Sequence, residues 1–159
     1  MLLNSPAFAV GCNGFLGAVR NALSLDAKRK ELAICAVAVL NRADYELLQH
    51  APAYREAGGT VARLERLVDF EAAMQDATLF SEAECAVLQL TLEMTRNVQV
   101  GNACFQRVQR ALGSHQAQVE LVGVIAAYNR VSRFLEALQV PPHPRTVQPW
   151  WPRSAVSPW

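Results

Sequence analysis

The sequence predicts an all-α protein, and three observations carry that prediction. Helix starts and stops recur along the chain, with Asp26, Thr60, Ser81 and Ser114 placed as N-caps and Gly58-Gly59, Gly101 and Gly113 as terminators. No hairpin dipeptide separates two alternating apolar/polar runs, so nothing calls for a sheet. Apolar positions such as Val61, Leu64, Leu67 and Val68 fall at the spacing of a helix face. The expected architecture is a helical bundle over residues 1–139, followed by an extended tail over residues 140–159.

Ser5-Pro6 reads as an N-cap with proline at the first helical position, opening a helix to about Leu23 that Gly11, Gly14 and Gly17 weaken. Asp26 caps the next helix, "AKRKELAICAVAVLN", in which Leu32 to Leu40 is apolar without a break, as a helix buried on all sides requires. A third helix takes in Tyr45 to about Ala57, with Pro52 expected to kink it or split it near Ala51. Thr60 opens "VARLERLVDFEAAMQ", read as one helix. Ser81 and Glu84 form a capping-box pattern for a helix to about Val98. A shorter helix, Cys104 to Leu112, ends at Gly113, and Ser114 caps a long final helix to about Gln139. The remainder, "VPPHPRTVQPWWPRSAVSPW", holds six of the eight prolines and all three tryptophans and cannot be helical. Trp150, Trp151 and Trp159 would expose large apolar rings in solvent, so this tail is expected to pack as an arm on its own bundle or on a neighbouring subunit, the alternative being the disorder usual for a Pro-rich segment.

The 159 residues suffice to bury one core without disulfides or metal. A net charge of +1 with no Lys/Arg stripe argues against nucleic acid as a partner. At 52% hydrophobic residues there is still no apolar run near the ~20 residues that span a bilayer, so no membrane association is expected. The first hydrophobics follow no basic stretch, so a secretory leader is not expected and a cytoplasmic location is the default. Cys12, Cys35, Cys85 and Cys104 are scattered without a C-x-x-C pair and read as buried thiols.

The stretch "NRADYELLQH" carries the chemistry. Glu46 and His50 are four apart and so share a helix face, while Glu31 adjoins the apolar stretch of the preceding helix. If those two helices pack antiparallel across the short connection at Arg42, Glu31 can meet His50. A partly buried carboxylate beside an imidazole is a workable general acid/base pair. The same spacing also occurs on solvated helix faces, and two carboxylates with one His can hold a divalent ion; spacing alone leaves these readings open. His115 and His143 stand apart and read as surface residues.

The run "KRKELAICAVAVLNRADYELLQHAPAYREAG", together with "VELVGVIAAYNRVSRFLEALQV" from Val119 to Val140, resembles the carboxymuconolactone decarboxylase and alkylhydroperoxidase D superfamily. The resemblance spans roughly residues 5 to 140. It implies an alkylhydroperoxidase D-like helical bundle that assembles into homotrimers or homohexamers with active sites near subunit contacts. It places the family's leading Glu on Glu31 and its His on His50. The redox cysteines of the peroxidase branch would fall on Ala43 and Glu46, so thiol peroxidase chemistry by that route is not expected. In the lactone decarboxylase branch a Glu stands where Glu46 stands here. The resemblance therefore implies Glu31, Glu46 and His50 as catalytic residues; Tyr45, Asn129 and Arg133 are candidate substrate contacts, Arg133 reading also as a solvated helix arginine, and no metal or other cofactor is expected. The expected function is acid/base catalysis on a small carboxylated or lactone substrate. The rivals are a non-catalytic oligomeric binding relative and a residual thiol-dependent antioxidant using Cys35.

Overall fold

The computed structural model describes residues 2–140, and eight α-helices follow one 3₁₀ turn, Leu2–Asn4, with no strand among the described residues. They are α1 (Pro6–Asn21), α2 (Ala27–Asn41), α3 (Asp44–Glu56), α4 (Val61–Arg66), α5 (Phe70–Gln75), α6 (Glu82–Arg96), α7 (Asn102–Leu112) and α8 (His115–Ala137). The expected tail and His143 lie outside the described residues.

Helix α2 is the centre, packed on α3, α6 and α8 at once, which is why its sequence is apolar all round. Its two sides feed two cores. Ala33, Ile34 and Val37 join Leu90, Leu121 and Ile125, whereas Leu32, Ala36 and Leu40 join Leu47, Leu64 and Leu88. The predicted cap holds α2 at its start, where the Asp26 carboxylate accepts the Arg29 N–H at 3.0 Å.

The capping box at α6 is complete: Ser81 accepts from the Glu84 N–H while the Glu84 carboxylate accepts from the Ser81 N–H. Gly113 closes α7 in the left-handed region at φ 67°, and Ser114 caps α8. All four cysteines are free and buried.

The structure departs from the sequence reading in three places. The helix expected from Thr60 is two helices, because the Asp69 side chain accepts the Ala72 N–H and starts α5 afresh. Leu64 and Leu67 are buried as expected, but Val68, just before that break, is half exposed. Helix α3 runs through Pro52 as one element, with the proline exposed, and no split occurs near Ala51. Helices α1, α6 and α8 each stop about two residues early; after α6, Val98 takes a positive φ of 65° that ends the helix.

The end of α3 shows why two glycines are needed. Gly58 sits at φ 92°, and the Gly59 N–H returns to the Tyr54 carbonyl at 2.8 Å. A Cβ on Gly59 would lie 2.4 Å from the fully buried Tyr54 ring.

Candidate active site

The connection between α2 and α3 builds the site. Arg42 adopts the left-handed conformation at φ 56°, and the Ala43 N–H bonds back to the Ala38 carbonyl at 2.9 Å, so the chain reverses in two residues. Helix α3 is thereby folded back along α2, and His50 Nδ1 lies 2.7 Å from Glu31 Oε2. Both side chains keep a little contact with solvent, 15% for His50 and 11% for Glu31. With Nδ1–H donated to the carboxylate, Nε2 is the nitrogen left to exchange a proton. The imidazole also stands edge-on to the Tyr128 ring, centroids 4.8 Å apart, and the Tyr128 hydroxyl accepts from Arg20 Nε at 3.3 Å. Three helices, α2, α3 and α8, therefore fix one imidazole, and α1 supports it from behind.

Glu46 lies one turn before His50 and is 2% exposed. Burial pushes its carboxyl up to about 8; the Ser132 hydrogen bond opposes this and the Glu136 charge adds to it. Its place in the first turn of α3 favours the ionised form through the helix dipole, an effect of about 0.3–1 kcal/mol that burial outweighs here. The hydrogen bonds give an independent argument. Ser132 Oγ lies 3.0 Å from Glu46 Oε1 and 2.9 Å from the Tyr128 carbonyl oxygen. Ser132 is the donor, and its single proton is shared between the Glu46 carboxyl and the Tyr128 carbonyl, so it offers a carboxylate less than one full hydrogen bond. Glu46 Oε2 is buried without a partner, which a neutral carboxyl tolerates far better than a carboxylate.

Cys35 is completely buried on α2, and its thiol is pushed well up by burial and then by the charges of Glu31 and Glu46. It is held as a thiol, the opposite of what a reactive cysteine needs. Among the described residues no group of three or more His, Cys, Asp or Glu side chains is arranged to hold a metal ion.

The other sequence candidates sit differently. Tyr45 is half-buried in the first turn of α3. Asn129 is buried and spends its amide on Thr95 Oγ1 at 2.9 Å and the Ile125 carbonyl at 3.1 Å, while its oxygen accepts from Asn41 and from Arg133. Arg133 is exposed overall but returns its guanidinium to Asn129. Asn129 ties α8 to α2 and α6, and Arg133 bonds back to Asn129 within α8. His115 is exposed at the start of α8. Sequence reasoning missed Ser132, Tyr128 and Arg20 as neighbours of the acid/base group. The available signal was a Tyr and a Ser four apart within an otherwise apolar face of α8.

A family model described as the carboxymuconolactone decarboxylase family matches residues 6–90. Among solved structures, the chain is similar to an uncharacterized peroxidase-related protein from Silicibacter sp. TM1040. The two share 17% identity at a TM-score of 0.76, over 92% of this chain and 76% of that one, a likeness of fold. A comparison with curated proteins finds no match.

Proposed function

The chain belongs to the carboxymuconolactone decarboxylase family, and from that premise we propose that it is a cofactor-free acid/base enzyme acting on a small carboxylated or lactone-type substrate. The observation that carries this reading is the Glu31–His50 contact at 2.7 Å, with the buried Glu46, its carboxyl pushed up to about 8 by that burial, one turn away. An imidazole held by one carboxylate and accompanied by a carboxyl that keeps its proton near neutral pH is a base and an acid in one place.

In a decarboxylation, the bond from the reacting carbon to its carboxylate breaks and carbon dioxide leaves. The electron pair stays on that carbon, delocalised into an adjacent carbonyl as an enolate. A proton must then reach the carbon. In this reading His50 and Glu46 exchange protons at the reacting carbon, and Glu31 orients the imidazole and stabilises its charged form. Tyr45, on the half-buried first turn of α3, is the substrate contact nearest the pair in sequence. Self-association and a cytoplasmic location belong to the same proposal; no described helix is long and apolar enough to cross a membrane.

The depth of Glu46 favours a second reading, a binding scaffold that kept the family's polar cluster without turnover. The residual thiol activity has less support, since Cys35 is buried and protonated.

The test is turnover of a panel of carboxylated muconolactones and β-keto acids, followed by NMR, with His50→Ala in parallel. Product from the wild type and none from the variant supports acid/base catalysis through His50. Equal turnover by both removes His50 from the chemistry, and no turnover of any compound by the wild type favours the scaffold.

A further inference from the structure

Arg130, on α8, is a cation that the acid/base group does not use. Its guanidinium carbon lies 5.8 Å from the centroid of Phe8 and 5.6 Å from that of Phe15, and Nη2 donates to Cys12 Sγ at 2.8 Å. Phe8, Cys12 and Phe15 are spaced four and three apart, so one face of α1 presents all three to Arg130. No ion pair among the described residues involves Arg130, and its buried Nε–H has no acceptor. Arg130 is half-buried, and a partly desolvated guanidinium gains from an anionic partner. A thiol sulfur accepts weakly, and ring faces return only about 0.5–2 kcal/mol.

Beside this cation lies an apolar groove of about 250 Å³ between α1 and α8, lined with Leu2, Phe8, Leu16, Val131, Phe134 and Leu135. Among the described residues, Arg130 is the one charged residue lining it. An uncharged apolar occupant would leave the cation as it is, whereas an acid would give the guanidinium a charge-assisted partner. We propose that this groove is a binding site for a small amphipathic anion, its apolar body lying between α1 and α8 and its carboxylate on Arg130. The volume, just under the ~300–1,000 Å³ usual for ligand pockets, suits a medium-chain or aryl-substituted carboxylic acid. Val140 itself lines the groove, and the side chains of residues 141–159 include Arg145 and Arg153 but no Asp or Glu.

The experiment is calorimetric titration of the full chain with decanoate, below its micellar concentration, and with decan-1-ol as the uncharged control. Decanoate is expected to bind saturably with one site per chain, and decan-1-ol about tenfold more weakly, the worth of one charge-assisted hydrogen bond. Arg130→Gln should remove the preference for the acid, while Val131→Phe, which narrows the groove and leaves the cation, should weaken both ligands. No saturable decanoate binding, including the case in which the chain's own tail or a second copy fills the groove, overturns the proposal. So does equal affinity for acid and alcohol, or an Arg130→Gln protein with native circular dichroism and unchanged preference.

Discussion

Replacing Glu46 by Gln tests the buried carboxyl through folding stability, without a substrate. The native carboxyl titrates at about 8 against an ordinary value of 4.5. Between those limits the folded protein holds a proton that the unfolded chain has released, so stability falls as pH rises. The contribution is whole below pH 4.5, where both states are protonated, and is spent as pH passes 8. Each pH unit in that window is worth about 1.36 kcal/mol. From pH 4.5 to 7.5 the wild type should therefore lose about 4 kcal/mol that the Glu46→Gln variant, whose amide is neutral in both states, does not lose. Urea unfolding of both proteins at half-unit steps of pH measures the difference. The two should be close near pH 4.5, and Glu46→Gln should be the more stable by an amount approaching about 4 kcal/mol at pH 7.5. A difference that stays flat across the window would mean that Glu46 is ionised in the native state, and the case for a neutral acid beside His50 would be lost.

Other expectations concern structure and the thiol. Gly59→Ala should destabilise by about 1–3 kcal/mol in urea unfolding, because the new methyl meets the Tyr54 ring at 2.4 Å and that ring is enclosed. Ser81→Ala removes one half of the capping box and should cost about 1 kcal/mol, measured in the same way. Cys35→Ser puts a hydroxyl in a fully buried apolar position and should cost about 1–3 kcal/mol, yet leave any turnover of the lactone and keto-acid panel intact. Loss of turnover in a Cys35→Ser protein that remains folded would return the thiol to the mechanism.

Much of the fold was legible because its signals are local. Asp26, Ser81 with Glu84, Gly113 and Ser114 are each read from one to four residues, and each does in the structure what its side chain or backbone freedom allows. The break between α4 and α5 was hidden because apolar spacing runs through Leu64, Leu67 and Val68 while a single carboxylate, Asp69, restarts the helix. At the candidate site, Glu31 and His50 could be paired in advance because a two-residue connection leaves α3 little choice but to fold back on α2. Ser132 and Tyr128 could not, since they arrive from more than seventy residues later and only tertiary packing brings them in. Asn129 shows how one side chain serves more than one reading: an amide suits a substrate carboxylate and suits helix-to-helix hydrogen bonding, and here it bonds to Thr95 and Asn41. The protonation of Glu46 was also out of reach, because it depends on how completely α8 closes over the first turn of α3.

The most direct measurement follows the Glu46 carboxyl carbon by ¹³C NMR as pH is raised, in protein labelled at glutamate, with Glu46→Gln assigning the signal. The account predicts a carboxyl that is protonated at pH 7 and releases its proton near pH 8. A midpoint close to the ordinary 4.5 would leave an ionised carboxylate in the core and contradict the acid/base pairing with His50.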